Sequence, residues 1–335
     1  MVAWRLARSG GMGQRTAHVE VKRGADAIFG TEPYPRTFDE FIGQPIAKDL
    51  LLTSMLSARV RQEPLDHCLF ASGYPGIGKT ALAKLVAATL EVGYVEVGGT
   101  VTVKDIRPVL HAMQDHDVLF IDEIHRLVAG GKRNIEWMLQ LLQDGVLALP
   151  SGTERVPRIT VIGATTDDQK LPQTILERFP IQPPLVPYSK IEAFAIARST
   201  AGRLGAHLAP AQLDEVTAAA NCNPRVIGRL LKTIRDIQVA NLECQDIVEK
   251  ALTFTGLSDD GLTCLSQDYL MLLYGYGGTA GIGTMRAALN TERLDQTERL
   301  LIQKGLIAIT GKGRELTVLG STRAQALLDA NPSEE

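Results

Sequence analysis

Gly73-Tyr-Pro-Gly-Ile-Gly-Lys79-Thr80 spells a complete G-x-x-x-x-G-K-[ST] phosphate loop, and its flanks decide how it is read. An apolar run, Cys68-Leu-Phe-Ala-Ser72, precedes it, and a helical stretch, Ala81-Leu-Ala-Lys-Leu-Val-Ala-Ala-Thr-Leu90, follows. Between a strand and a helix, Gly73, Gly76 and Gly78 let successive backbone N–H groups turn inward on an anion, and the helix N-terminus adds positive potential. Lys79 then reaches the β- and γ-phosphates, Thr80 offers its hydroxyl to Mg²⁺, and Ala81 joins the nucleotide-contacting positions. The pattern predicts a nucleoside-triphosphate site, with ATP and Mg²⁺ as the expected cofactors.

Working outward, Asp117-Val-Leu-Phe-Ile-Asp122-Glu123 is an apolar run that ends in two acids. A run apolar on both faces reads as a central parallel strand, so its acids emerge at the C-terminal end, where open α/β sheets bind ligands. Asp122 is the expected Mg²⁺ partner, and Glu123 the residue that polarises the attacking water. Ile159-Thr-Val-Ile-Gly-Ala-Thr165-Thr166 reads as a further buried strand ending in hydroxyls, one of which can touch the γ-phosphate or orient the water. Arg178 stands twelve residues beyond Thr166 and suits a charge-stabilising role in a neighbouring subunit's site; an ordinary surface ion pair is the bland alternative.

With these motifs in place, the chain resembles the AAA+ ATPases and, more narrowly, the RuvB family. The resemblance is carried by the phosphate loop, Phe120-Ile-Asp-Glu-Ile-His-Arg-Leu127, Ile162-Gly-Ala-Thr-Thr166 and Glu177-Arg-Phe179. It is extended by Thr37-Phe-Asp-Glu-Phe-Ile-Gly-Gln44, Asn223-Pro-Arg-Val-Ile-Gly-Arg-Leu-Leu231 and Gly277-Gly-Thr-Ala-Gly-Ile-Gly283. It implies an α/β fold: a doubly wound parallel sheet of AAA+ P-loop type, a helical lid and a C-terminal winged helix. It also implies an ATP-driven helicase-type motor of recombination and repair, a hexameric ring on duplex or four-way Holliday junction DNA. Thr166, Arg178 and Glu123 become catalytic. Arg225, beside Pro224 at a helix start, matches a sensor arginine, and Tyr188 a nucleotide-contacting tyrosine; a core aromatic at a hinge is the other reading of Tyr188. Arg314 matches a DNA-contacting arginine.

The chain departs from the family in several places. Pro33-Tyr34-Pro35 stands where Leu-Arg-Pro is usual, Asp167 where an arginine follows Gly-Ala-Thr-Thr, and Ile309 where a second wing arginine is expected. The hairpin segment 145–158 is short, which puts docking of a RuvA-like partner in doubt and marks a divergent member. A clamp-loader-like switch that loads or remodels a protein on DNA is therefore kept as the alternative. A silent structural ATP binder is disfavoured by the presence of both Glu123 and Arg178.

Domain limits follow from the change of pattern. Residues 1–30 hold Arg5, Arg8, Arg15, Lys22 and Arg23 against Glu20 and read as a flexible basic segment. Strands and helices alternate over the nucleotide domain, 31–185, where a helix from Ile46 to Val60 is expected to bury Ile46, Leu50, Leu51, Met55 and Leu56. Pro183-Pro-Leu-Val-Pro187 breaks that pattern; helices alone fill the lid, 186–256, and the winged helix takes 257–335. A hairpin around Gly311-Lys312-Gly313-Arg314 makes the wing, with Lys312 and Arg314 as backbone-phosphate contacts or as an ordinary solvated tip. A net charge of −3 argues against a bulk polyanion partner and confines any DNA contact to a local patch. Four cysteines without a C-x-x-C pair suggest reduced thiols, and no apolar stretch spans a membrane, so a cytoplasmic location is expected.

Overall fold

The fold is a computed structural model that describes residues 20–149, 152–241, 245–292 and 294–330. The chain divides into two units, Met1–Pro187 and Tyr188–Glu335. In chain order the first holds α1 (Ala25–Phe29), α2 (Pro45–Arg61), β1 (Cys68–Ala71), α3 (Lys79–Leu90), β2 (Tyr94–Gly98), α4 (Val103–Ala112) and β3 (Val118–Asp122). There follow α5 (His125–Ala129), α6 (Lys132–Asp144), β4 (Val146–Leu149), β5 (Gly152–Arg155), β6 (Thr160–Thr165) and α7 (Gln173–Leu176).

The four long-range strands form one parallel sheet in the order β1-β6-β3-β2. The pattern of the strands explains why: all six positions of β6 are buried, as are the first four of β3, so both must sit between neighbours with helices on each face. Register aligns Ala71 with Thr165 and Gly98 with Asp122, so the strands' C-terminal ends emerge at one edge of the sheet. Beyond β1, Ile181 adds a single parallel bridge to Cys68. His67, just before β1, ties three segments together. Its Nδ1 accepts the Val161 N–H at 3.0 Å, which leaves the ring proton on Nε2, 3.1 Å from the Leu142 carbonyl. Burial holds this imidazole below its ordinary pKa.

Two expectations are corrected here. Residues 20–30 are not a flexible arm: Lys22 bridges Tyr94 on the outer edge of β2, and α1 buries Ile28 and Phe29. The reason lies in Asp117, a buried carboxylate that takes both Arg23 guanidinium nitrogens at 2.9 and 2.7 Å as well as the N–H groups of Gly93 and Gln114. A buried charge requires such a counter-ion, so this basic residue is structural. Residues 1–19 of the expected arm lie outside the described residues. In α2 the buried face is Ala47, Leu51, Met55 and Ala58, whereas Ile46, Leu50 and Leu56 are exposed. Apolar residues occupy more than half of this helix's circumference, and Ala47 and Ala58 permit the closer approach.

The second unit begins with α8 (Lys190–Leu204), α9 (Pro210–Ala219), α10 (Pro224–Val239) and α11 (Ile247–Thr255), packed around Ala193, Ala197, Val216, Ile227, Leu230 and Ile234. It continues with α12 (Cys264–Gly275), β7 (Thr279–Ala280), α13 (Ile282–Ala288), α14 (Asp295–Gln303), β8 (Ile307–Thr310), β9 (Gly313–Leu316) and α15 (Val318–Ala330). These enclose a separate core with Tyr269, Leu273, Met285, Leu301 and Ile307. Their sheet is antiparallel, in the order β7-β9-β8. Val318, two residues past β9, opens α15.

Candidate nucleotide site and the wing

The phosphate loop leaves β1 at Ser72 and enters α3 at Lys79. Gly76 and Gly78 adopt φ values of 77° and 101°, a region open to glycine and strained for other residues, which is how the loop can turn its backbone inward. The first-turn N–H groups of an α-helix find no carbonyl partners within their own helix, which makes the start of α3 a place where an anion is favoured. Lys79 is buried, and its Nζ donates to the Ser72 carbonyl of the same loop at 3.3 Å.

Asp122 ends β3, and its Oδ1 accepts the Glu123 N–H at 3.1 Å. Glu123 turns the chain sharply, with φ at 52°. That turn needs glycine beside it: a Cβ on Gly99, just past the end of β2, would lie 2.1 Å from the Glu123 carbonyl oxygen. The Glu123 carboxylate accepts the Thr166 hydroxyl, 3.0 Å from Oε2, and lies 3.2 Å from His125 Nδ1. The same nitrogen is 2.9 Å from Thr165 Oγ1. Thr165 joins this group back to the phosphate loop, because its carbonyl accepts the Ser72 N–H at 3.1 Å. Loop, acids and hydroxyls therefore meet at the ends of β1, β3 and β6.

Arg178 follows α7, and its exposed side chain donates to Gln143 on α6 at 2.9 Å. It thus presents a guanidinium at the surface of the first unit. Arg225 is exposed at the start of α10, a helix capped by the Asn223 side chain, which accepts the Arg225 N–H at 3.0 Å. Tyr188 is half-buried and packs against the core of α8–α11.

In the wing, Lys312 is exposed in the turn between β8 and β9. Arg314 is not at the tip but within β9, and its position needs correction. Its Nε and Nη2 donate to the two oxygens of Glu298 on α14 at 2.9 and 3.0 Å, and Glu298 also accepts the Tyr269 hydroxyl at 2.9 Å. The carboxylate raises the Arg314 pKa further, and burial with the same carboxylate pushes the Tyr269 phenol up.

His125, Gly99 and Gln143 have no part in the site expected from the sequence, where Thr165 stands only as one of two hydroxyls ending the strand. His125 lay in plain view inside the quoted acidic motif; Gly99 required the β2–β3 register, and Gln143 the tertiary fold. Among the described residues no group of three or more His, Cys, Asp or Glu could hold a metal alone. One carboxylate and one hydroxyl beside a phosphate loop are a donor set that suits Mg²⁺ shared with phosphate oxygens, so the residues fit a metal–nucleotide pair. No helix among the described residues is long and apolar enough to cross a membrane.

A phosphate loop on β1, an acidic pair on β3 and a hydroxyl after β6, in one parallel sheet followed by helices and a winged helix, define a P-loop protein of the AAA+ class. Residues 34–185 match the family described as "Holliday junction DNA helicase RuvB P-loop domain", and residues 259–323 the "RuvB C-terminal winged helix domain". The RuvB subunit of the Holliday junction branch migration complex from Rhodospirillum centenum is 37% identical over 302 residues, covering 85% of this chain and 83% of that one. The solved Thermotoga maritima RuvB Holliday junction branch migration motor is 30% identical with a TM-score of 0.74, covering 88% of this chain and 98% of that one. The AAA domain of FIGL-1, solved with ADP, is 17% identical with a TM-score of 0.50 over 70% of this chain and 80% of that one, and shares the fold alone. The chain belongs to the RuvB family.

Proposed function

We propose that this chain is an ATP-hydrolysing motor that moves duplex DNA at four-way junctions, working as an oligomeric ring whose active sites are shared between neighbours. The observation that carries this reading is the convergence of Lys79, Asp122, Glu123 and Thr166 at one edge of the sheet, on a chain that also bears a RuvB-type winged helix. The relatives matched along most of the chain are described as branch-migration proteins, and nothing favours the clamp-loader alternative.

In this reading Lys79 leaves the Ser72 carbonyl and turns to the β- and γ-phosphates held by the loop around Gly73, Gly76 and Gly78, with Ala81 and Tyr188 alongside the nucleotide. Thr80 and Asp122 hold Mg²⁺, which when bound neutralises charge on the phosphates. Glu123 orients and deprotonates the attacking water, and Thr166 meets the γ-phosphate. Arg178 serves the adjacent subunit, where its exposed guanidinium stabilises transition-state charge. Arg225 reads the γ-phosphate and couples its loss to movement of the helical unit. Lys312 contacts DNA phosphates without reading sequence, while Arg314 braces the wing behind it.

Two measurements test this. Glu123→Gln is expected to bind ATP and lose turnover; unchanged steady-state hydrolysis would remove Glu123 from its role. The parent protein is expected to drive branch migration of a synthetic four-way junction, assayed with and without a RuvA-like protein. ATP hydrolysis without strand exchange in both arms would refute the motor.

A further inference from the structure

The Glu123 carboxylate accepts a bond from Thr166 and has His125 Nδ1 close beside it, and the Thr166 donor is wanted elsewhere. We propose that His125 is a positioning residue that keeps the Glu123 carboxylate aimed at the attacking water; this rests on the assignment of Glu123 as the water-orienting base. Thr166 Oγ1 reaches Oε2 at 3.0 Å, but Thr166 is also the hydroxyl assigned to the γ-phosphate, and its single proton cannot serve both. When it turns to phosphate, His125 Nδ1, 3.2 Å from the same oxygen, is the side-chain nitrogen among the described residues placed to donate in its stead. The imidazole suits this task because its side chain is only 12% exposed, so water competes weakly for its bond.

Thr165 sets which partner that nitrogen serves. Its Oγ1 lies 2.9 Å from Nδ1 and accepts the Asp167 N–H at 3.0 Å. With Nδ1 protonated, the proton can be given to Glu123; with Nδ1 bare, it accepts from Thr165 and the acid is held by Thr166 alone. Thr165 is bonded through its carbonyl to Ser72, whose own carbonyl holds Lys79, so the histidine is joined by hydrogen bonds to the loop that receives the phosphates.

The test uses the full-length protein and compares His125→Phe, which keeps the ring and removes the donor, with His125→Asn, whose amide N–H can occupy the place of Nδ1. Phe is expected to lower kcat about tenfold, with KM and the Kd for an ATP analogue within about twofold of the parent, and Asn to restore most of the loss. In a Glu123→Gln background the Phe substitution is expected to cause no further drop in the single-turnover rate. Parental kcat in the Phe protein, or the same fold loss in both backgrounds, overturns the proposal. Should Phe impair folding, His125→Gln replaces it: its amide lies one bond farther out and is expected to fall with Phe, and a Gln protein as active as Asn also overturns the proposal. Normal hydrolysis by Glu123→Gln alone would instead sink the underlying assignment.

Discussion

Consider Arg314→Ala in the wing. The substitution removes both guanidinium bonds to Glu298, whose side chain is 7% exposed, and leaves that carboxylate with the Tyr269 hydroxyl. Breaking a buried pair from one side costs about 3–5 kcal/mol; because the Arg314 side chain is itself 20% exposed, water screens part of the pair and about 2–3 kcal/mol is expected. Hydrogen exchange reads this locally, without requiring the whole chain to unfold in one step. Amides of β8, β9 and α14 should lose about 30- to 150-fold in protection, while those of β1, β3 and β6 stay as they were. The second arm measures DNA affinity against salt. Lys312→Ala should reduce the slope of log K on log salt by about 0.9 for each engaged wing, the loss of one phosphate contact. The paired replacement Glu298→Gln with Arg314→Gln, which removes the internal ion pair, should leave that slope nearly unchanged. If the pair lowers the slope as much as Lys312→Ala, and Arg314→Ala leaves exchange untouched, then Arg314 is a DNA contact and the bracing argument is wrong.

Arg178→Ala should retain nucleotide affinity, since the phosphates are held by the loop of the same chain, and lose turnover by about 10³. Mixing it with Lys79→Ala protein should recover activity, because some neighbours then pair an intact loop with an intact arginine; a mixture no better than the sum of its parts would place Arg178 in its own subunit's site. His67 gives a pH signature. Its folded pKa lies below the ordinary 6.5, so the unfolded chain takes up the proton first and the protein should lose stability as pH falls through 6.5. Urea titrations from pH 8 to pH 5 should show a shallower decline for His67→Gln, and an equal decline in both proteins would mean that other groups dominate.

How much of this could be read in advance depended on the distance over which each interaction acts. The phosphate loop, the Asp122–Glu123 pair and Thr166 are short strings at strand ends, and each is legible because its chemistry is set by immediate neighbours. The strands β1, β3 and β6 announced themselves by continuous apolar runs. Arg23, by contrast, looked like one more charge on a basic arm until Asp117, 94 positions away, gave it a partner. Arg314 likewise looked like a tip residue, because the Glu298 that captures it lies on another helix. In α2 periodicity admitted more than one apolar face, and which one packs is decided by the surface it meets. His125 was visible and still missed, since nothing local says that the ring folds back onto the acid two positions before it.

The buried amide of Gln44 has a mechanical consequence. Its Nε2 donates to the Val186 carbonyl at 2.6 Å and its Oε1 accepts the Val186 N–H at 3.0 Å, so one side chain grips the backbone as a neighbouring strand would. A few residues on, the Ser189 hydroxyl and Glu192 form the reciprocal cap that starts α8. Between these two anchors lie Pro187 and Tyr188, and the proline ring already fixes one of their four main torsions. Rotation within this stretch is therefore left to three torsions, so the chain between the grip and the cap has the character of an axle with a short bearing. Lengthening it by even one glycine should loosen that bearing while leaving the grip on Val186 and the cap on α8 intact.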